Sequence, residues 1–443
     1  MSALYPQAFK AIESLARLRD EAWAGAVDPA GKPAKVLLLQ GPVGPFFSHL
    51  HKALLAQGVS VHRVAFNPAD RLFAGGNGCT RFSGSKVAWE TWLHFELFCN
   101  RPDTIVLFGS NRPAHRIARR VAALFGVRVL CLEEGYLRSG YITCEDGGNN
   151  QSSPMVHWMP RADSRPAGEG PAPIDDSYPA MGIWGALYYL IRDIFSGQMD
   201  EVLFHRPRER SWSLACGWVA HGVTRVGTRL AERTALMRLK RASEYILVPL
   251  QVPTDSQMGV AARGWTSHRL VDACLAALAR TPSGQKLVFK LHPLDRGGMR
   301  LKRHILQRAA QQGLEGRVEA LHSGRIGELS SHATGMIVIN STSAFSALHH
   351  EVPVLVLGDA VFRHESIVTL GDRERDIDNF FKVRRAKQRD EIELFLADLQ
   401  TTSLIPGDFY LSSGIRIGVA GVVARLNRER ASNSSQSKAA ECH

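Results

Sequence analysis

The sequence has few of the features that cross-link a secreted domain or anchor a chain in a membrane. Its seven cysteines are odd in number and form no Cys-x-x-Cys pair, so neither a disulfide framework nor a zinc site is indicated. This cysteine usage is typical of a reducing compartment. Residues 1–23 are amphipathic and carry acids, without the apolar core of a signal peptide. We therefore expect a cytoplasmic protein.

Long apolar runs and the common nucleotide and metal motifs are also missing. The most hydrophobic stretch, residues 181–195, contains Arg192 and Asp193 and is too short to cross a bilayer. The glycine loop 41–47 matches neither the dinucleotide fingerprint nor the P-loop, so ATP and NAD chemistry have no support. No Asp-x-Asp pair stands at the end of a predicted strand to hold a metal that bridges a sugar diphosphate. We expect no metal.

Acidic residues are outnumbered. The chain has 54 Lys and Arg against 42 Asp and Glu, which gives a net charge of +12. Such a surplus favours anionic partners, such as nucleotide phosphates, acidic sugars, an anionic membrane surface or nucleic acid. No module or repeat of a nucleic-acid-binding fold is visible, so we expect no nucleic-acid partner.

The apolar runs that are present predict two α/β domains. At 443 residues, with 45% hydrophobic and 22% charged residues, the chain has room for two globular cores. A first series of strand-like runs alternates with helix-like segments, at 35–40, 59–66, 103–108 and 127–132. A second series starts at 245–250 and continues at 286–291, 318–321, 336–339 and 354–357. This βαβ pattern predicts two Rossmann-like domains with largely parallel sheets.

Composition suggests boundaries for these domains. We predict an N-terminal domain (1–200), a basic helical linker (201–242), a C-terminal domain (243–405), a helix able to pack back on the first domain (406–426) and a disordered polar tail (427–443). The stretch 181–242 is aromatic at its start and rich in arginine afterwards. It has two readings, a segment lying on an anionic bilayer or an interdomain helical pair with a solvated basic face.

Polar residues follow several of the predicted strands, at the sheet edge where ligands of open α/β folds bind. Lys290, His292 and Pro293 end one run, and a histidine there can donate a proton to a phosphate oxygen. The alternative is a plain turn. Another run ends in Asn340, Ser341, Thr342 and Ser343. Hydroxyls at the start of a helix form an anion site, although ordinary N-capping uses the same residue types.

Carboxylates supply the other candidate groups. Glu133 and Glu134 precede Gly135 at a strand end, so one of them is a candidate base whose pKa a like-charged neighbour raises. The alternative is an acidic surface turn. Asp255 follows the strand 245–250 and is either a nucleophile or cleft acid, or the cap of the next helix. Gly41 and Gly44 offer either a close backbone approach to a ligand or a tight turn.

Taken together, these motifs resemble a known family. The set GPVGPFF (41–47), FNPAD (66–70), EEGYLRSGYIT (133–143), LQVPTDSQ (250–257), KLHP (290–293), NSTSA (340–344) and VPVLVLGDAVF (352–362) is similar to the bacterial capsule polysaccharide biosynthesis family, and within it to β-Kdo transferases. The resemblance covers residues 35–370. It implies a GT-B-like fold, in which two Rossmann-like domains face a central cleft.

The resemblance also implies substrates and partners. The donor would be CMP-Kdo, with no cofactor, and the acceptor a phosphatidylglycerol-type lipid that starts the Kdo linker of an exported capsule. The protein would then be peripheral on the inner face of the inner membrane. A second Kdo transferase and the capsule export machinery would be its protein partners.

Residue roles follow from the same resemblance. Lys290, His292 and Pro293 would lie at the nucleotide sugar, and Asn340, Ser341, Thr342 and Ser343 would bind its phosphate or carboxylate. Because CMP-Kdo is a β-glycoside, a β product means retention, with Asp255 as candidate nucleophile and Glu134 as its rival. Glu133 or Glu134 would act near the reacting centre. The acceptor-side candidates are Gly41, Gly44, Asn67 and Asp70.

Two alternatives stay open. The acid-acid-Gly and His-Pro motifs also look like those of inverting sialyltransferases, which use CMP-sugars and in which the acid-acid-Gly carboxylate is the base. A non-catalytic capsule assembly or export factor is the second alternative. Such a factor would not need His292, Asp255 and the two glutamates together, so their joint presence favours an enzyme.

Overall fold

The computed structural model describes residues 34–74, 79–137, 140–160, 177–195, 203, 227, 232–240, 245–252, 258–281, 284–292, 295 and 298–440. The chain divides into two compact units, the first from 1–149, 170–208 and 403–443 and the second from 150–169 and 209–402. Each unit is built on a largely parallel sheet with helices packed on it. The predicted α/β class with two Rossmann-like domains is therefore confirmed.

The first unit is built on a seven-stranded sheet in the order β13-β6-β5-β4-β1-β2-β3. Its strands are β1 (Lys35–Leu38), β2 (Ser60–Ala65), β3 (Cys79–Arg81), β4 (Thr104–Phe108), β5 (Arg128–Glu134), β6 (Tyr141–Asp146) and β13 (Leu404–Pro406). Its described helices are α1 (Phe46–Ala56), α2 (Pro68–Leu72), α3 (Lys86–Asn100), α4 (Pro113–Leu124), α5 (Tyr178–Phe195) and α12 (Ser412–Ala440). The strands β1 to β5 are parallel, and β6 and β13 add an antiparallel edge.

The strands of this sheet are apolar at consecutive positions because both faces are covered. Successive side chains of a strand point to opposite faces. Leu37 and Ile105 pack with α3 and α4, whereas their neighbours Leu38 and Val106 pack with α1 and α12. An alternating polar face would leave one of these helix layers without a partner, which is why continuous apolar runs mark buried parallel strands.

The C-terminal part of the chain belongs to the first unit. Strand β13 pairs with β6 through the register Leu404–Thr143, and α12 packs against α1. The domain boundary predicted at residue 405 thus falls inside a strand of the first unit. Residues 427–440, predicted to be disordered, continue α12. They contain no Gly or Pro and are rich in residues that tolerate a helix, such as Arg, Glu, Gln, Lys and Ala.

The second unit has a six-stranded sheet, parallel throughout, in the order β12-β11-β10-β7-β8-β9. Its strands are β7 (Tyr245–Pro249), β8 (Lys286–Lys290), β9 (Val318–Leu321), β10 (Gly335–Val338), β11 (Val354–Val356) and β12 (Thr369–Leu370). Its helices are α6 (Ser267–Ala279), α7 (Gly298–Gln311), α8 (Ile326–Ser331), α9 (Ala344–His349), α10 (Glu374–Lys382) and α11 (Arg389–Ser403). A further helical stretch, 232–240, precedes β7. It is the last part of the predicted basic linker, most of which lies outside the described residues.

In each sheet the chain changes direction around the first strand. Strand β1 lies between β2 and β4, and β7 lies between β8 and β10. Such a topological switch point opens a crevice at the carboxyl ends of the strands, where open α/β sheets bind ligands. We therefore expect a ligand site at the loops after β1 and β4 in the first unit, or after β7 and β10 in the second. Among the described helices, none has the length and hydropathy needed to span a bilayer.

Candidate functional site

In the second unit, Lys290 and His292 lie at the carboxyl end of β8. The Lys290 side chain is buried, and its Nζ donates to the carbonyl oxygens of Leu291 and His322, both at 2.9 Å. These bonds tie the end of β8 to the end of the neighbouring strand β9. The half-buried His292 begins a turn in which its carbonyl oxygen accepts from Asp295 N at 3.1 Å. Pro293 lies outside the described residues.

A buried carboxylate braces the same edge from the other side. Glu232, in the stretch 232–240, accepts hydrogen bonds from the backbone N–H groups of His322 and Ser323, at 3.0 and 2.7 Å. Lys302 Nζ of α7 lies 2.5 Å from its Oε1. Burial by itself raises the pKa of Glu232, but the hydrogen bonds from His322, Lys302 and Ser323 outweigh burial and hold this pKa well below its usual range. The carboxylate is therefore charged and fixes the loop after β9.

The hydroxyl-rich loop follows β10, on the other side of β7. Asn340 is buried, while Ser341, Thr342 and Ser343 are half-buried. Ser341 Oγ lies 3.1 Å from Ser343 Oγ and accepts from Ser343 N at 3.3 Å. The side chain of Ser343, which directly precedes the six-residue helix α9, makes no capping hydrogen bond. The loop thus presents three hydroxyls at the switch point of the second sheet.

The third candidate of this unit, Asp255, lies outside the described residues. The loop before it starts with Gln251, whose carbonyl oxygen accepts from Ser267 Oγ at 3.1 Å. The next described α-helix, α6, is capped by Thr266, whose side chain accepts from Arg269 N at 3.1 Å. The capping role considered for Asp255 is thus filled, for α6, by another residue.

In the first unit, Glu133 and Glu134 end β5. Glu134 Oε1 accepts from Tyr410 Oη at 2.5 Å. Burial and the Glu134 carboxylate raise the pKa of Tyr410 well above its usual value. The phenol therefore stays protonated and donates a hydrogen bond to Glu134. The glycine of the motif is required by packing, because a Cβ on Gly135 would lie 2.4 Å from the Tyr141 carbonyl oxygen. The acid-acid-Gly turn is thus held in place from both sides.

Glu133 points to the neighbouring strand end. A Cβ on Gly109, just after β4, would lie 3.4 Å from Glu133 Oε2 and 3.1 Å from Arg112 Nε. The Glu133 carboxylate and the Arg112 guanidinium therefore both lie close to Gly109. Gly109 has φ +80°, and its carbonyl oxygen lies 2.8 Å from Nδ1 of His115. Burial and the Arg112 guanidinium lower the pKa of His115 to about 3, so this histidine stays neutral and supports the turn.

The acceptor-side candidates belong to a buried polar network, which sequence reasoning found only in part. Asp70, at 5% exposure, accepts from Tyr188 Oη at 2.7 Å and from Asn67 Nδ2 at 2.9 Å. Gln40 Nε2 lies 3.1 Å from Asp70 Oδ2, and Gln40 Oε1 accepts from Arg112 Nη1 at 2.8 Å. Burial raises the pKa of Asp70, and the hydrogen bonds it accepts offset this only in part.

Gln40, Arg112 and Tyr188 had not been predicted as site residues. In the sequence, Gln40 and Arg112 are recognisable only as polar residues that follow a predicted strand. Gln40 ends the apolar run of β1, and Arg112 lies between β4 and α4. Tyr188 lies on α5, far away in the sequence, and carries no such signal. Together the three join the loops after β1, β2 and β4 at one edge of the first sheet.

The two loop glycines are held by close packing. A Cβ on Gly41 would lie 2.6 Å from the Phe47 ring. Gly44 has φ +101°, and a Cβ there would lie 3.1 Å from the Trp184 ring of α5. The loop after β1 is therefore a tight turn that fits against α1 and α5. Among the described residues, no group of three or more His, Cys, Asp or Glu side chains is placed to hold a metal ion.

The sequence of the chain matches a known protein family. The family model described as capsule polysaccharide biosynthesis protein matches residues 103–410. The chain belongs to the capsule polysaccharide biosynthesis family. The region matched by the capsule family model begins at β4 and ends at Tyr410, so it includes both glutamates, His292 and the hydroxyl-rich loop. Gly41, Gly44, Asn67 and Asp70 lie before it.

Individual relatives of this capsule protein share most of its length. The capsule polysaccharide export protein KpsS of Escherichia coli is 32% identical over 345 residues, which are 74% of this chain and 85% of KpsS. The capsule polysaccharide modification protein LipB of Neisseria meningitidis serogroup B is 30% identical over 349 residues, 74% of this chain and 81% of LipB. Among solved structures, KpsC of Thermosulfurimonas dismutans, a beta Kdo 2,7 transferase, is 14% identical, with a TM-score of 0.40 and coverage of 88% of this chain and 99% of KpsC.

The brace formed by Glu232 generates a testable prediction. Glu232→Ala removes a buried carboxylate and leaves Lys302 and two backbone N–H groups without their partner. We expect the free energy of unfolding to fall by about 3 kcal/mol, measured by chemical denaturation. The matched control is Glu328→Ala, which breaks the exposed pair with Lys240 at the same 2.5 Å separation. It should change stability little.

The effect has a defined pH dependence. Because the pKa of Glu232 is lowered on folding, its contribution is present above the unfolded pKa, about 4.3, and is lost as the pH falls below it. The stability difference between wild type and Glu232→Gln should therefore narrow under acid conditions. Equal losses of unfolding free energy for Glu232→Ala and Glu328→Ala would contradict the proposal that Glu232 holds the loop after β9. A stability difference between wild type and Glu232→Gln that does not change with pH would contradict it as well.

Proposed function

We propose that this capsule protein is a glycosyltransferase that moves Kdo from CMP-Kdo onto a phosphatidylglycerol-type lipid and so begins the linker of an exported capsular polysaccharide. One observation carries the proposal. In a chain 32% identical to KpsS, the motif residues that the resemblance assigns to the nucleotide sugar lie on two strand ends flanking the switch-point strand of one sheet. These are the ends of β8, with His292, and of β10, with Ser341 to Ser343.

The chemistry of the donor suits these groups. CMP-Kdo carries a phosphate and a carboxylate, so its binding needs positive charge and hydrogen-bond donors. The loop after β10 offers hydroxyls and backbone N–H groups, and His292 is assigned to donate to the phosphate oxygen as negative charge grows on departing CMP. Lys290, whose ammonium binds two carbonyl oxygens, acts in this proposal by holding the backbone that presents His292.

On the acceptor side, the two glutamates have different surroundings. Glu134 is held by the protonated Tyr410, which makes it a poor free base but a well-oriented carboxylate. Glu133 lies beside Arg112 and is assigned to the reacting centre, where it would take the proton from the acceptor hydroxyl. Asn67 and Asp70 are buried in the network with Tyr188, so we assign them to shaping the acceptor-side loops of Gly41 and Gly44.

A β product from a β donor means net retention, which suggests two displacements. In the first, the carboxylate of Asp255 attacks the anomeric carbon of Kdo, the bond from this carbon to the phosphate oxygen breaks, and CMP leaves. In the second, the acceptor hydroxyl attacks the same carbon, its proton passes to the base and the Asp255 carboxylate is released. The hydrogen bond from Tyr410 to Glu134 favours Asp255 over Glu134 as nucleophile, since a carboxylate oxygen that already accepts a hydrogen bond is less nucleophilic.

This assignment predicts a trapped intermediate. Wild-type protein incubated with CMP-Kdo and no acceptor should release CMP and gain the mass of one Kdo, on the peptide that contains Asp255. Asp255→Asn should show no adduct, whereas Glu134→Gln should still form it. Peptide mass spectrometry provides the measurement. An adduct on Glu134, or turnover with inversion and no adduct, would contradict the assignment, and inversion would favour the sialyltransferase-like alternative.

The overall activity is tested with CMP-Kdo and a fluorescent phosphatidylglycerol analogue, with the product followed by mass. We expect a gain of one Kdo, and His292→Ala should lower the rate about 100-fold or more. The control His350→Ala changes an exposed histidine at the far end of α9, so its rate should equal that of the wild type. Turnover with CMP-sialic acid in place of CMP-Kdo would overturn the donor. No turnover with any CMP-sugar would favour the non-catalytic assembly factor.

The proposed place of action is the inner face of the inner membrane. The net charge of +12 favours approach both to an anionic leaflet and to a donor that carries a phosphate and a carboxylate. A second Kdo transferase that extends the product, and the export machinery that receives it, are the partners this role would require.

A further inference from the structure

Helix α5 carries its polar groups toward the protein. Its two charged residues, Arg192 and Asp193, are buried at 3% and 8% exposure, and Arg192 Nε donates to Asp193 Oδ1 at 2.8 Å. Tyr188 is buried as well and donates to Asp70. Trp184 Nε1 donates to the Tyr410 carbonyl oxygen at 3.2 Å. The inner side of α5 is therefore the side that needs hydrogen-bond partners, and it finds them in the first unit.

The outer side of α5 is apolar over its whole length. Ile183, Leu187, Leu190 and Ile194 recur at helical spacing and fall on one face, with 69%, 38%, 49% and 59% exposure, and Phe195 adds 67% at the end. The exposed residues of α5 contain no charged or hydrogen-bonding side chain: Pro179, Gly182, Ile183, Ala186, Leu187, Leu190, Ile194 and Phe195. A helix on a water-exposed surface normally carries polar side chains on its outer face and apolar ones toward the core. A contiguous exposed apolar surface of this kind marks an interaction site.

We propose that this outer face of α5 docks on a lipid bilayer that contains anionic lipid, with the helix lying in the plane of the interface. The inference deepens the proposed function, on which it rests for the lipid acceptor. A hydrocarbon surface asks for no hydrogen bonds, which matches a face that offers none, whereas protein interfaces combine an apolar centre with a polar rim and about one hydrogen bond per 100–200 Å².

Positive charge on α2 and in the sequence that follows α5 fits an anionic leaflet. Helix α2 packs against α5. It carries one exposed apolar residue, Leu72, and next to it one exposed basic residue, Arg71. Residues 206–241, which follow α5 in the sequence, contain nine Lys and Arg against two Glu. Basic residues next to an inserted apolar face add electrostatic attraction to anionic headgroups.

The location of the face connects it with the acceptor side. The same helix that is apolar outside bonds inside to Asp70 through Tyr188 and packs against Gly44 through Trp184. Docking α5 on the bilayer brings the loops after β1 and β2 to the membrane surface. A lipid acceptor can then present its headgroup to these loops while its acyl chains stay in the bilayer.

The test is co-sedimentation of the purified full-length protein with vesicles, without donor. Wild type should bind vesicles of phosphatidylglycerol and phosphatidylcholine, and bind phosphatidylcholine alone weakly. Ile183→Glu should lower the partition constant at least about tenfold, because an inserted side chain becomes charged. The matched control is Ile417→Glu, at a 48% exposed position of α12, and its partition should equal that of the wild type. Both positions are exposed, so circular dichroism should show two folded variants.

Three results would overturn the inference. They are wild type that does not bind phosphatidylglycerol vesicles, equal losses for Ile183→Glu and Ile417→Glu, and a wild-type dimer in sedimentation equilibrium that Ile183→Glu dissociates. The dimer would mean that a second copy of the chain covers the face. Because binding is measured without donor, a protein that binds vesicles through α5 yet transfers no Kdo would refute the proposed function and leave the docking face standing.

Discussion

Two carboxylates that barely touch water, Asp70 and Glu232, hold the strand-end loops of the two sheets, one in each unit. Burial alone would raise the pKa of both carboxylates, but the pKa of Glu232 is lowered and that of Asp70 is raised, because their partners compensate the buried charge to different degrees. Glu232 binds the Lys302 ammonium and two backbone N–H groups, so its charge is compensated. Asp70 accepts hydrogen bonds from Tyr188, Asn67 and Gln40 and is attracted by the charge of Arg63, but these partners offset burial only in part. A buried carboxylate persists only where such partners are fixed, so the loops that supply them are fixed too.

Much of the fold could be predicted from the sequence because its strands are buried on both faces. Continuous apolar runs at β1, β4, β5, β7 and β8 stand out, and polar residues directly after them mark the ligand edge. The short strands β3 and β13 gave no such signal. Three residues such as Leu404–Pro406 become a strand only because β6 offers an unpaired edge, and this pairing depends on contacts far apart in the sequence.

The site was predictable in the same measure. Residues at or shortly after the ends of strands, such as Glu134, His292 and Ser341, could be placed at an edge of the sheet, because chain order and strand direction decide this. Their partners could not, since the hydrogen bond from Tyr188 to Asp70 joins residues 118 positions apart. Helix α5 shows a related limit. Both of its sides are rich in large apolar residues, so periodicity does not tell which side faces the protein, and the buried Tyr188, Arg192 and Asp193 of the structure show it.

The proposed mechanism requires the second unit to be the nucleotide-sugar domain, and a crystal structure with bound CMP tests this requirement. It predicts CMP at the carboxyl edge of the sheet of the second unit, with its phosphate within hydrogen-bond distance of the hydroxyls or backbone N–H groups of Ser341 to Ser343 and His292 beside it. CMP bound at the edge of the first sheet, or a protein that binds no CMP in calorimetry, would contradict the account.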